Sequence, residues 1–175
     1  MRVSMLEAAM RHQSSKNHYP SRAVDWTAAL FSGFIGAIVV LFAATGLIVV
    51  YQADFWGIVR MVAAVALGDS AFIDSTSHNI AILLTSLGIH LTLSILFSIV
   101  LSSLIEIFNV YRSLPSTLIT GSIFGALLYL INFYVMTARF SWMGDARTWT
   151  NLCIHIMFGS VCAISYKEIS WRSRI

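Results

Sequence analysis

Uncharged stretches alternate with short polar stretches along this chain. Four runs contain no Asp, Glu, Lys or Arg, and they cover residues 27–50, 79–105, 117–138 and 148–166. With a rise of about 1.5 Å per residue, helices of this length cross or nearly cross the roughly 30 Å hydrocarbon core of a bilayer. The connections after the second and third runs are short, which favours neighbouring helices of opposite direction. The pattern therefore predicts an all-α integral membrane protein, an antiparallel four-helix bundle.

A fifth apolar segment, residues 55–68, is shorter and contains Arg60. Its apolar residues recur at helical spacing, but the segment is too short to span a bilayer. The pattern predicts a short interfacial or re-entrant helix between the first two spans, with Arg60 reaching the lipid headgroups. Residues 1–26 and 167–175 are polar and are predicted to be tails.

Small and polar residues share faces of the later spans. In the second span, steps of four residues connect Ser86, His90, Ser94, Ser98 and Ser102. The third span has a GxxxG motif, and the fourth has a glycine one turn after a histidine. Small residues let two helix backbones approach closely within a membrane. We expect these faces to meet other helices, with the packing contacts at Ser94, Ser98, Gly121, Gly125 and Gly159.

Composition agrees with a membrane protein and excludes some other classes. The chain is 58% hydrophobic and only 11% charged, which is far from the average soluble domain. The net charge of +3 comes from scattered residues without an aromatic-interleaved patch, so no nucleic-acid partner is expected. Cys153 and Cys162 are predicted to lie about 13 Å apart along one helix axis, so they cannot form a disulfide. The partner that the composition implies is the lipid bilayer.

The basic residues predict the orientation in the membrane. If both termini lie on one side, most Lys and Arg residues lie there with them, which places that side in the cytoplasm. The cytoplasmic set would be Arg2, Arg11, Lys16, Arg22, Arg112, Lys167, Arg172 and Arg174, against Arg60, Arg139 and Arg147 on the other side.

Two histidines, His90 and His155, are the ionisable side chains inside the predicted spans, where such groups are costly and often functional. One interpretation is that each imidazole forms a hydrogen bond that joins two helices. A second is that both ligate a b-type haem between the second and fourth spans, with Gly125 and Gly159 making room for the macrocycle. In that hypothesis Asn132, Arg139 and Arg147 support the cofactor, the arginines by contacting its propionates.

A third interpretation is a small channel or proton carrier, although every carboxylate is predicted to lie outside the spans. No phosphate-binding loop, dinucleotide fingerprint or nucleophile elbow is present, and no metal-type ligand spacing is found. The sequence therefore favours a non-catalytic membrane protein, an accessory or structural subunit that packs against itself or a larger membrane complex.

Several short motifs resemble a family of uncharacterised four-helix bacterial inner-membrane proteins, over residues 22–167. They are Arg22–Trp26, Trp56–Gly57, Arg60–Met61, Ala63–Ala64, Gly68, His90, Gly121, Asn132–Tyr134, Ala146–Trp149, His155 and Gly159. Members are often labelled sodium/proline symporters, but genuine members of that transporter family have many more spans and broken helices that carry the sodium site. The resemblance implies a four-span fold in the inner membrane, and it transfers no functional residue.

Overall fold

A computed structural model describes residues 23–73, 79–110 and 113–172, and all of its regular elements are helices. The predictions for residues 1–22, for the polar loop 74–78, and for Arg112 and Arg174 lie outside the described residues. Within the described ranges, the prediction of an all-helical chain with membrane-type apolar helices is confirmed.

Helix α1 extends over Trp26–Tyr51. The Asp25 carboxylate caps its first turn by accepting a hydrogen bond from the Ala28 amide at 3.0 Å, which satisfies a backbone donor that the helix itself cannot pair. The helix ends because Gln52 adopts a left-handed conformation with φ 50°. The buried residues of α1 all lie in its first half, between Ala28 and Ala37.

Helix α2 is short and amphipathic. It covers Phe55–Leu67 and continues as a 3₁₀ turn over Gly68–Phe72. Its buried face consists of Val59, Arg60, Ala63 and Ala64. The expectation that Arg60 reaches outward is wrong, because its side chain is only 4% exposed and its guanidinium lies 5.9 Å from the centre of the Trp56 ring.

The remaining helices are long. Helix α3 covers Ile80–Ile107, and helix α4 covers Leu114–Leu130. The chain then winds through a π-helical turn, Ile131–Val135, a 3₁₀ turn, Met136–Ala138, and a second 3₁₀ segment, Ser141–Ala146. Helix α5, Trp149–Arg172, extends beyond the predicted end of the fourth span.

Helices α1 and α5 form the centre of the packing. Helix α1 contacts both α3 and α5, α4 packs mainly on α5, and α2 packs on α3. Although a short turn joins α3 to α4, these two helices have little contact with each other. The main core therefore lies where α1, α3, α4 and α5 meet, and its buried members are Ala28, Ala29, Leu101, Ile105, Phe124, Leu128, Phe158, Cys162, Ala163 and Tyr166.

Five helical segments in the described part of the chain are long and apolar enough to cross a membrane. Four of them overlap the predicted spans, and the fifth is α2 with its 3₁₀ extension, Phe55–Phe72, of 18 residues. Length and hydropathy therefore admit a fifth span, in addition to the four that the sequence pattern predicts.

Candidate functional site

Hydroxyl groups join α1 to α3 in the middle of the bundle. Ser98 donates to the Ala29 carbonyl at 3.1 Å, and its hydroxyl lies 2.7 Å from that of Ser32. The helices approach closely here, since a Cβ added to Gly33 would lie 2.7 Å from the Ile95 Cα. Cys162 on α5 reaches the same place and donates to the Ser32 carbonyl at 3.5 Å. Hydrogen bonds between groups of this chain thus connect α1, α3 and α5.

His90 belongs to the same interface, two turns from Ser98. Its Nε2 lies 3.0 Å from the Ala37 carbonyl oxygen of α1. A carbonyl can only accept, so Nε2 carries the proton and donates it across the helix pair. His90 Nε2 is therefore occupied by its hydrogen bond to α1.

The glycines of α4 and α5 bring two backbones into direct contact. A Cβ added to Gly121 would overlap the Gly159 carbonyl, and one added to Gly125 would overlap the His155 carbonyl. The GxxxG motif thus serves a contact within the chain. The space that a haem would need beside Gly125 and Gly159 is filled by backbone atoms of the neighbouring helix.

His155 lies at the α4–α5 interface beside Asn132. Its Nδ1 donates to the Asn151 carbonyl at 2.7 Å, so Nε2 is the acceptor, and the Asn132 amide nitrogen lies 3.4 Å from it. The rings of Tyr129 and Phe133 approach the imidazole edge-on at centroid distances of 6.0 and 5.3 Å. The imidazole is thereby fixed in one tautomer between two helices.

A π-helical turn next to this histidine frees a backbone carbonyl for side chains. The Phe133 carbonyl accepts hydrogen bonds from Arg147 Nε at 2.7 Å and from the Thr137 hydroxyl at 2.6 Å. The Arg147 guanidinium also lies 4.6 Å from the centre of the Tyr134 ring. Such turns often occur at functional sites, and here the turn fixes the end of α4 against the start of α5.

The structure does not bring the five haem-site candidates together. Within the described residues, no hydrogen bond or ring contact joins the two histidines: His90 bonds to α1, whereas His155 bonds to α4 and its own helix. Asn132 is beside His155, and Arg147 is bound to the π-helical turn. Arg139 instead lies over the Phe140 ring at 5.7 Å. These residues form two helix contacts and a separate arginine, an arrangement that does not fit a bis-histidine haem.

A buried carboxylate that the sequence placed outside the spans lies inside α3. Glu106 is 2% exposed and accepts a hydrogen bond from the Tyr166 hydroxyl at 2.8 Å, while the Tyr166 oxygen accepts one from the Asp25 amide at 3.2 Å. The sequence does contain a pattern that indicates this position, because Glu106 follows Ser102 by four residues and extends the same polar face of the helix. This cluster joins α1, α3 and α5 at the end of the bundle where α1 begins.

At the opposite end, a cleft of about 390 Å³ separates the end of α2 from the connection between α4 and α5. Residues 64–69 form one wall, and residues 139–142 form the other. Two charged residues of opposite sign, Asp69 and Arg139, are among these lining residues. Trp142 is also one of the lining residues, and its ring centre lies 5.7 Å from that of Phe72.

No group of three or more His, Cys, Asp or Glu residues with metal-binding geometry occurs among the residues that the structure describes. In comparisons with known proteins, no family model, no curated protein and no solved structure matches this chain.

Proposed function

We propose that this chain is a non-catalytic, four-span protein of the bacterial inner membrane with both termini in the cytoplasm. It acts as an accessory or structural subunit that packs against a second copy or a larger membrane complex. The main support for this proposal is that polar side chains within the spans form hydrogen bonds to neighbouring helices. The hydroxyls and imidazoles described above bond to neighbouring helices, and such bonds stabilise a membrane bundle without providing a reaction centre.

Residue contacts support the four-span topology. Ser32 of α1 meets Ser98 of α3, and five residues later Ala37 meets His90, so the numbering rises along one helix as it falls along the other. The end of α1 and the start of α3 then lie on one side of the membrane. Helix α2 lies between these two ends in the chain, which supports a helix that returns to the side from which it starts.

The same reasoning applies to a second pair of helices. Gly121 meets Gly159 while Gly125 meets His155, which supports opposite directions for α4 and α5. The family resemblance of residues 22–167 and the excess of basic residues near the termini favour a bacterial inner membrane and cytoplasmic ends. The inner-membrane location and the cytoplasmic position of the ends are thus proposed from the sequence alone.

Fluorescent-protein fusions test the topology. Green fluorescent protein folds in the bacterial cytoplasm but not after export in an unfolded form, so fusions at the N-terminus and at the C-terminus should both fluoresce. Alkaline phosphatase at the same two points should be inactive. If α2 is a fifth span, the ends lie on opposite sides and only one of the two green fusions will fluoresce.

The uncovered half of α1 is the surface that we assign to a partner. Phe42, Val49 and Val50 are 72–75% exposed, and a Cβ added to Gly46 would meet nothing within 4 Å. Small residues on an outward face permit close helix contact in a bilayer. A second membrane helix can therefore approach the α1 backbone here.

Cysteine cross-linking in native membranes tests this assignment. In a Cys153→Ser background, Gly46→Cys should form a product of higher mass, either a dimer or a complex with a larger protein. Ile131→Cys, an exposed position at the end of α4, is the control and should form no such product. A Gly46→Cys protein that stays monomeric, with a single-chain mass in mild detergent, would contradict the subunit role.

A further inference from the structure

The cleft between the end of α2 and the α4–α5 connection holds two opposite charges that do not neutralise each other. Asp69 and Arg139 both line it, and both side chains are exposed. Throughout the described ranges, neither side chain has a hydrogen bond or an ion pair to another protein group. The Arg139 guanidinium is held only over the Phe140 ring, at 5.7 Å. The cleft therefore presents a cation and an anion to whatever enters it.

The residues around the cleft are of a kind that suits a membrane interface. It lies where α2 ends and where α4 has given way to 3₁₀ turns, next to Trp142 and Phe140. Tryptophan is enriched at the level of lipid headgroups. The neighbouring apolar side chains are uncovered, with Leu67 42% and Ile73 84% exposed. An apolar surface thus adjoins the charged pair.

We propose that this cleft binds the zwitterionic head of a phospholipid that carries a primary ammonium group. Arg139 binds the phosphate, since guanidinium and phosphate form strong charge-assisted hydrogen bonds. Asp69 accepts hydrogen bonds from the ammonium group, and an acyl chain lies along Leu67 and Ile73. The volume of about 390 Å³ falls within the range of roughly 300–1,000 Å³ that is usual for small-molecule sites.

Each charge contributes a separate part of the specificity. An anionic headgroup such as phosphatidylglycerol satisfies Arg139 but offers no cation to Asp69. A choline headgroup brings a cation without N–H donors, so it cannot form the hydrogen bonds to the Asp69 carboxylate. Phosphatidylethanolamine satisfies both residues. A soluble zwitterion such as phosphoethanolamine has the same polar chemistry but lacks the acyl chain.

Native mass spectrometry of the detergent-purified full chain tests the proposal. The protein is titrated with phosphatidylethanolamine, phosphatidylcholine and phosphatidylglycerol of identical acyl chains, and the ethanolamine lipid should bind most tightly. Arg139→Gln should weaken its binding by about tenfold or more, because a charge-assisted contact is lost. Asp69→Asn should reduce the preference for the ethanolamine headgroup over choline, because an amide oxygen accepts from the ammonium group more weakly than a carboxylate, and Arg139→Lys should restore part of the affinity.

Matched variants outside the cleft serve as controls. Asp145→Asn removes a carboxylate from the same connection, and Arg172→Gln removes an arginine at the other end of α5; neither should change lipid binding. Unchanged elution and tryptophan fluorescence will show that the variants are folded. Equal binding of the three lipids, or equal binding by the wild type, Arg139→Gln and Asp69→Asn, overturns the proposal. Displacement of the lipid by millimolar phosphoethanolamine overturns the lipid source and assigns the site to a soluble zwitterion.

Discussion

The glycine contact between α4 and α5 makes the effect of a single methyl group predictable. In Gly125→Ala the new Cβ would lie 2.7 Å from the His155 carbonyl carbon and 2.8 Å from the Ile156 Cα, and it would overlap the His155 carbonyl oxygen. These are backbone atoms, so no side-chain rotation relieves the overlap. The two helices must move apart, which also weakens the contact between Asn132 and His155.

Gly88→Ala is the matched control, because a Cβ at Gly88 would meet nothing within 4 Å. Both variants gain the helix propensity of alanine, about 0.5–1 kcal/mol. Only Gly125→Ala also incurs the cost of overpacking, about 1–3 kcal/mol. The difference in unfolding free energy between the two variants therefore isolates the steric term, and we expect Gly125→Ala to be the less stable by about 1–3 kcal/mol.

The assay is reversible unfolding in mixed micelles with increasing dodecyl sulfate, followed by circular dichroism and tryptophan fluorescence. The slope of the transition should stay the same in both variants, so that the midpoint reports stability alone. If Gly125→Ala unfolds at the same midpoint as Gly88→Ala, the two backbones are not in contact at this position and the assigned packing of α4 on α5 is incorrect.

Three further predictions concern the polar groups of the bundle. Ser98→Ala should lower the unfolding free energy by about 0.5–2 kcal/mol because it removes hydrogen bonds between helices, whereas Ser103→Ala, whose hydroxyl bonds only within α3, should have a smaller effect. Tyr166→Phe should cost more, about 1.5–3 kcal/mol, since it removes the donor to the buried Glu106 carboxylate. Protein purified from cells supplied with haem precursor should show no Soret band, because the two span histidines do not share a site.

Each of these three predictions can be contradicted by a specific result. Equal stability of the two serine variants would mean that the hydroxyls do not connect α1 to α3. If Tyr166→Phe leaves the unfolding free energy unchanged, other donors satisfy the Glu106 carboxylate without the Tyr166 hydroxyl. A Soret band that disappears in both His90→Ala and His155→Ala would restore the haem hypothesis.

Some local features of the site were accessible from residue spacing. The steps of four from Ser86 to Ser102 identify residues that share one face of a helix, and Glu106 continues that series. Spacing alone did not show that the carboxylate is covered, because burial depends on the helix that lies against it. That helix is α5, whose Tyr166 lies 60 residues after Glu106 in the chain.

The roles of the two histidines depend on which helices lie against them. Their positions within apolar runs predicted inward-facing imidazoles, and each does form a hydrogen bond, to Ala37 in one case and with Asn132 in the other. The haem hypothesis assumed that both rings face the same space. Whether two side chains on different helices meet depends on helix rotation and pairing, which periodicity within one helix does not contain.

Residue order alone predicts a helical protein with membrane-type apolar segments, because long uncharged runs can satisfy their backbone groups in a bilayer only as helices. Residue order also indicates which residues share a helix face, since the helical repeat is a local property. The packing of the helices was needed to show that α5 lies between α1 and α4, that Arg60 is buried, and that Asp69 and Arg139 line one cleft. These features join residues far apart in the chain, and they depend on how closely side chains and glycines of different helices fit together.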